Sequence, residues 1–392
     1  MKTKIILLIF ALVLSISSFA QIDRSKQPKP GPAPAINLGK PQTFTLPNGL
    51  KVMVVEDRKL PRVSVNLTMD NGLISRGEKS GIEGLISEML GKGSQNISKD
   101  DYNEEIDFLG ATINFTSNGF YAYTLSKNFN RVLELAAEGL LKPNFTQEEL
   151  DKEKDIAIES LKADEKSASA INSRVTNVLA YGKNHPYGEY TTEASLKGIT
   201  LGDIQNYYTT YFVPGNAYLV IIGDVSFAEA KKAVEQRFQL WKKAKAPSVS
   251  FSDPKNVQFT QINLVDVPNA VQAEVAFINT TRLSMKDKDY FAVLMANEIL
   301  GGSFDSYLNK TLREEKAWTY GARSGIRGSK FITAFRAGAS LKQTAVDSAV
   351  VEILSQINKI RTKPVSDDDL KNAKAAYIGN FVRQFAKPES VS

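Results

Sequence analysis

Residues 81–94 read GIEGLISEMLGKGS. Ile82, Leu85, Ile86, Met89 and Leu90 recur at the three- and four-residue spacing of a helix with one apolar stripe, and Gly91-Lys92-Gly93 ends it. Upstream, the pattern predicts strands. Segments 43–46 and 50–55 flank Pro47-Asn48-Gly49, where Asn-Gly supplies the positive φ angles of a tight hairpin turn, and a further strand is expected at 63–69. Downstream, strands near 112–116 and 120–126 lead into helices near 130–141 and 147–166. Helices near 168–181, 201–211 and 228–241 follow, with a strand at 217–223 before the last. Strands and helices come in groups, which favours an α+β domain: an antiparallel-rich sheet covered by helices on one face.

The helix ending recurs. Glu88-Met89-Leu90-Gly91-Lys92-Gly93-Ser94 is echoed by Glu298-Ile299-Leu300-Gly301-Gly302-Ser303, each closing an apolar helix. Lys142-Pro143-Asn144-Phe145-Thr146 is echoed by Lys363-Pro364-Val365-Ser366, each opening a long helix. Two matches in one order at similar separation read as two homologous domains; independent Gly-Ser helix ends and Lys-Pro turns are the other reading. The stretch beginning Lys242-Lys243-Ala244-Lys245-Ala246-Pro247 is polar and proline-marked, so 242–257 is the expected linker between a first domain at 42–241 and a second at 258–392. The second repeats only the earlier elements of the first, and is expected to be incomplete at its C-terminal side.

Lys2 and Lys4, the apolar run 5–14 and Ser18-Phe19-Ala20 form the pattern of a signal peptide at 1–20, cut after Ala20. The other reading, an uncleaved anchor, meets an apolar run shorter than the roughly 20 residues a span needs. A proline-rich leader at 21–41 favours an extended tether. The expected product is periplasmic or secreted, with no stable membrane insertion after cleavage. Among 392 residues there is no Cys and a single His, His185. Disulfides are therefore excluded. The formal charge of +6 is spread along the chain rather than gathered, which argues against nucleic acid as a partner. Zinc centres draw chiefly on thiolate and imidazole, so a self-sufficient zinc site is not expected.

The 81–94 segment resembles the one in which the pitrilysin/insulinase (inverzincin) zinc metallopeptidases carry the signature His-x-x-Glu-His, down to the closing Met-Leu-x-Lys-Gly-Ser. Two imidazoles one helical turn apart hold the metal there, and the Glu activates a water. The resemblance places those three functions on Gly84, Ser87 and Glu88: no side chain, a hydroxyl, and one carboxylate. It also implies a further ligand from a later helix, where Glu159 lies in the matching stretch. Taken alone, Glu159 reads as a solvated helix carboxylate. An oxygen-only calcium or magnesium site from Glu83, Glu88 and Glu159 lacks the loop of alternating carboxylates such a site uses. His185, in Tyr181-Gly182-Lys183-Asn184-His185-Pro186-Tyr187-Gly188, also resembles a family stretch and is expected to pack in a turn. No metal or cofactor is expected in this chain.

In the second half, LREEKAWTYGAR at 312–323 resembles the family's C-terminal-half motif, in which an Arg and a Tyr seven residues later reach across a closed chamber toward the substrate. The resemblance assigns that part to Arg313 and Tyr320. A guanidinium grips a carbonyl or carboxylate with forked donors, and a phenol donates to the oxyanion of peptide attack. Judged without the motif, an Arg in a Glu-rich helix reads as a surface ion pair and a strand Tyr as half-buried packing. Glu314, Glu315 and Arg323 read as structural.

The resemblance runs over about 42–385. Some members of the family are two-chain assemblies, one chain giving the zinc helix and the other the Arg/Tyr motif. What it implies here is a non-catalytic, substrate-contacting subunit, inactive alone. Its partner would be a related subunit bearing His-x-x-Glu-His and the zinc, and its substrates unfolded peptides. The alternative is a non-enzymatic peptide-binding or scaffold protein with the pitrilysin fold. An enzyme with another nucleophile finds no nucleophile elbow, Ser/Lys pair or Cys to rest on.

Overall fold

Turn chemistry sets the first hairpin. In a computed structural model of the protein, which describes residues 40–385, β1 (Gln42–Thr45) and β2 (Lys51–Glu56) pair antiparallel around Asn48-Gly49. Gly49 takes φ +104°. The Asn48 amide donates to the carbonyls of Phe238 and Trp241 at 2.7 and 3.0 Å, tying the turn to the far end of the lobe. The signal peptide expected at 1–20 and nearly all of the 21–41 leader lie outside the described residues.

The first lobe continues through β3 (Arg62–Met69), α1 (Ile82–Met89), α2 (Lys99–Phe108), β4 (Thr112–Thr116), β5 (Gly119–Leu125), α3 (Phe129–Leu141) and α4 (Gln147–Asp164). Then come α5 (Ala168–Tyr181), α6 (Glu193–Gly198), α7 (Leu201–Tyr211), β6 (Ala217–Gly223) and α8 (Phe227–Phe238). Its sheet has six strands in the order β1-β2-β6-β3-β5-β4, antiparallel except for the β2–β6 pair. Val63, Val65, Leu67 and Met69 alternate along β3 into one core with Ile86, Leu133, Leu140, Ile204 and Val234 from the helices. Close approach decides one glycine. A Cβ on Gly119, at φ +135°, would stand 1.9 Å from the Leu67 carbonyl oxygen on the paired strand.

The second lobe runs β7 (Gln272–Thr281), α9 (Tyr290–Asn297), α10 (Tyr307–Asn309), β8 (Thr319–Gly325), β9 (Thr333–Lys342), α11 (Val346–Thr362) and α12 (Asp367–Phe385). Wide π turns at Glu298–Gly302 and Lys310–Glu315 prolong α9 and α10. Its sheet is β7-β9-β8, antiparallel throughout. The order β3, α1, α2, β4, β5, α3, α4 of the first lobe is repeated as β7, α9, α10, β8, β9, α11, α12, with the same strand order in space. Two homologous α+β domains thus make up the described chain. The second has three strands among the described residues where the first has six.

On β9, Ala337 and Leu341 enter a second core with Leu300, Leu308, Leu312 and Ile353. Arg336, pointing the other way by strand alternation, reaches α5 of the first lobe and donates to Thr176 Oγ1 at 2.8 Å and Asn177 Oδ1 at 2.5 Å. α5 lies against β7, so a first-lobe helix also contacts the second sheet. Lys330 pairs with Asp70 at 2.6 Å across the lobes, with both side chains largely in water.

Candidate functional site

The apolar stripe of α1 decides what its other face can offer. Ile82, Leu85, Ile86 and Met89 are buried in the core, which leaves Glu83, Gly84, Ser87 and Glu88 on the outer side. Gly84 and Glu88 are exposed and Ser87 is half-buried. The Ser87 hydroxyl is already committed: it donates to the Glu83 carbonyl at 2.7 Å and accepts from the Ser117 backbone N–H at 2.7 Å. That pair bolts α1 to the β4–β5 turn. Nothing lies within 4 Å of a Cβ built on Gly84, so the position faces open space.

Glu83 is held as well. The Arg76 guanidinium meets its carboxylate at 2.7 Å through both Nε and Nη2, and the Tyr207 hydroxyl donates to it at 3.2 Å. Behind Arg76 lies Glu189, whose side chain is 5% exposed. Burial pushes the Glu189 carboxyl up. Donors from Ser75, the Arg76 and Gly77 backbone amides and the Arg76 guanidinium more than offset that, and hold it below the ordinary value. This charge network fixes the lead-in to α1. Sequence reasoning missed Arg76, Glu189 and Tyr207, because the partners are more than a hundred positions apart along the chain.

Glu159 projects from α4 with its side chain 72% exposed and pairs with Lys162 one turn on, at 2.7 Å. His185 is buried: its ring stacks on Tyr181 at 5.4 Å and meets Tyr187 and Phe251, while Nδ1 accepts from the Tyr187 N–H at 3.1 Å. Burial lowers its proton affinity against the pull of Asp253 and Glu189. Among the described residues no three His, Cys, Asp or Glu side chains converge closely enough to hold a metal ion. A zinc would find at Gly84, Ser87 and Glu88 only one free carboxylate, so the residues present do not fit that metal.

Arg313 and Tyr320 lie on either side of an irregular junction. Arg313 sits in the π turn Lys310–Glu315 with its guanidinium 4.4 Å from the Phe304 ring centroid. It forms no ion pair among the described residues, although Glu314 and Glu315 follow it. Ala317 takes φ +52°, a left-handed conformation rare for a side-chain-bearing residue. A register shift follows between Thr319 and Ala322, where β8 pairs with β9. Thr319 closes the bulge by donating to the Ser340 carbonyl at 2.7 Å and accepting from the Gly321 N–H at 3.1 Å. At the bulge Tyr320 turns outward and is 90% exposed. Such irregularities re-aim side chains. Arg313 and Tyr320 are not joined by a hydrogen bond among the described residues.

Known proteins can now be set beside this geometry. A family model described as insulinase (peptidase family M16) matches residues 51–189, and one described as peptidase M16 inactive domain matches 198–377. The chain is 27% identical over 366 residues to the zinc protease PqqE of Helicobacter pylori, covering 88% of this chain and 81% of that protein. It is 23% identical over 351 residues to the uncharacterized zinc protease YmxG of Bacillus subtilis, covering 86% and 83%. A peptidase M16 inactive domain from Pseudomonas fluorescens superposes with a TM-score of 0.77 at 22% identity, over 88% of this chain and 86% of that one. The last likeness speaks to the fold alone. With two models of one family following each other along the chain, the second taking in the end of the first lobe and most of the second, and the outer face of α1 lacking imidazoles, the chain belongs to the pitrilysin/insulinase (M16) zinc metallopeptidase family without carrying the His-x-x-Glu-His motif.

Proposed function

We propose that this chain is the non-catalytic, substrate-contacting subunit of an exported two-chain zinc peptidase. It supplies Arg313 and Tyr320 in trans to a related partner that bears His-x-x-Glu-His and the zinc. The carrying observation is the contrast between the lobes. In the first, the metal-binding positions offer a glycine, a hydroxyl bonded at both ends and one exposed carboxylate. In the second, Tyr320 stands free in solvent and Arg313 pairs with no carboxylate among the described residues.

In this reading Arg313 grips a backbone carbonyl of an extended peptide while Tyr320 donates to the oxyanion that would develop on the carbonyl under attack. Removing one such donor typically costs about a hundredfold or more in rate. The related proteins named as zinc proteases support a peptidase context for the assembly, and in this reading residues 1–20 act as a signal sequence, so that the assembly works outside the cytoplasm. No helix among the described residues is long and apolar enough to cross a membrane.

A related exported chain carrying His-x-x-Glu-His, ideally from a neighbouring gene, should be purified with this chain and assayed on an unstructured peptide. The complex should cleave, neither chain alone should do so fully, and Arg313→Ala should cut the rate of the complex by at least about tenfold. Undiminished cleavage by the Arg313→Ala complex would defeat the proposal. A scaffold or peptide-binding role is the second reading, favoured by the inactive-domain description of the model over 198–377. It requires peptide binding without hydrolysis, unchanged by Arg313→Ala.

A further inference from the structure

Positive charge is spread along the chain as a whole, yet the segment that leaves α8 is unbalanced. Residues 236–252 carry Arg237, Lys242, Lys243 and Lys245 and no Asp or Glu. Arg237 turns back to the lobe and meets Glu134 at 3.7 Å. Lys242, Lys243 and Lys245 are exposed and enter no ion pair among the described residues. Asp70 brings a carboxylate to this end of the lobe, since its N–H donates to the Asn216 carbonyl at 2.7 Å, but Lys330 neutralises it at 2.6 Å. Beside the lysines in the chain stands Leu240, 87% exposed.

This segment is pinned rather than slack. At its start the Asn48 amide holds the carbonyls of Phe238 and Trp241, and the Trp241 ring packs against the first-lobe core, 6.3 Å from the Phe238 ring. In its middle the Gly215 N–H donates to the Ala244 carbonyl at 3.0 Å, an approach so close that a Cβ on Gly215 would stand 2.4 Å from that oxygen. At its end Ala246 is buried and donates its N–H to Asn216 Oδ1 at 3.0 Å. The lysines are thus displayed on a fixed backbone, and little ordering cost falls on the loop when a partner binds. Solubility accounts for the lysines; it does not account for the anchors.

We propose that residues 240–245 seat this protein on a bilayer surface that carries anionic phospholipid. The ammonium groups of Lys242, Lys243 and Lys245 meet the lipid phosphates, and Leu240 enters the headgroup layer. Charge and polarity together select the partner: three unpaired cations call for a dense negative surface, and an apolar side chain beside them calls for one with a hydrocarbon interior. A free polyanion meets the first demand and leaves Leu240 in water. One Lys near an anionic membrane surface is worth about fivefold in partition, so the three together are worth about a hundredfold. Docking of this kind is peripheral, and it does not depend on the peptidase reading.

The chain from Gln21 onward keeps every described residue and removes the apolar run 5–14. It is mixed with vesicles of about one part phosphatidylglycerol to three of phosphatidylcholine and sedimented. It should partition at least about tenfold better onto these than onto pure phosphatidylcholine, and about 0.5 M sodium chloride should remove most of the difference. Lys242→Gln, Lys243→Gln and Lys245→Gln combined should cut partition at least about tenfold, and Leu240→Ser at least about threefold. A charge-matched control, Lys183→Gln, Lys286→Gln and Lys288→Gln combined, should partition as the parent does. Circular dichroism melts check that each variant keeps the fold. Equal losses in the loop and control variants would overturn the proposal, because net charge alone would then be at work. Parent-like partition of Leu240→Ser would overturn it as well, and so would an absence of preference for the anionic vesicles, with or without capture by heparin.

Discussion

Ser87 is the position to which the resemblance assigns a catalytic base, and its bonds give it a structural task. With Oγ donating to Glu83 and accepting from Ser117, Ser87→Ala leaves a half-buried backbone N–H unpaired and should cost about 1 kcal/mol in urea unfolding. Gly84→Ala should act the other way. The site is helical, exposed and open within 4 Å, so the alanine should stabilise by about 0.5–1 kcal/mol. A destabilised Gly84→Ala would reveal an unrecognised occupant of that space. His185 gives a pH signature. Its proton affinity is lowered in the folded chain relative to the ordinary value of 6.5, so the unfolded chain takes up the proton more readily. Its contribution is fully present above pH 6.5 and is lost as pH falls below that value. The parent should therefore lose more stability than His185→Gln on acidification from neutral pH. Parallel pH profiles would show that His185 carries none of the acid sensitivity. The identities at 84, 87 and 88 were legible because the helix period fixed their face; the Arg76–Glu83–Glu189 network was not, because its members meet only through the fold.

Helix and turn signals with a local cause were the legible part of the fold. α1, α3, α4, α5 and α7 lie where periodicity and stop signals put them, and α4 and α7 begin at Thr146 and Thr200, which accept from backbone N–H groups three residues on. α2 was invisible: KDDYNEEIDF buries only Tyr102, so no apolar stripe marks its period. The stretch 256–265 forms no strand: Phe259, Ile262 and Leu264 are at least 80% exposed, and a strand needs a partner edge that local sequence cannot supply. The Thr200 cap offers a test. Asp203 returns a bond to the Thr200 N–H and pairs with Lys79. The Lys79 ammonium, ahead of the Thr200 bonds, holds its carboxyl at about 2 against burial. Thr200→Ala should cost about 1 kcal/mol, and a loss below a few tenths would mean that Lys79 alone anchors the turn. At the β4–β5 turn, Gly119→Ala sets a Cβ against the Leu67 carbonyl oxygen and should destabilise by about 2 kcal/mol or more.

The two lobes share one plan, and the molecule uses the copies differently. The first fills its sheet and helical layer and offers no imidazole on α1; the second carries Arg313 and Tyr320 on either side of an irregular junction. The duplication was legible from two short echoes, whereas the cross-lobe packing of α5 on β7 was not, since nothing in 168–181 names its partner. Arg336 is the residue of that interface to test. Burial disfavours its charged form, with Tyr181 pulling the other way, yet it is anchored to Thr176 and Asn177. Arg336→Ala should speed amide exchange in α5 and β7 while β3 and β5 stay protected. Lys330→Ala, removing a largely exposed pair, should change little. The central claim is that α1 holds no hydrolytic metal. It is tested most directly by the zinc content of the purified chain after equilibration with micromolar zinc and gel filtration, read by elemental mass spectrometry. The account predicts well below about 0.1 zinc per chain, unchanged by Glu88→Ala; about one zinc per chain, abolished by Glu88→Ala, would contradict it.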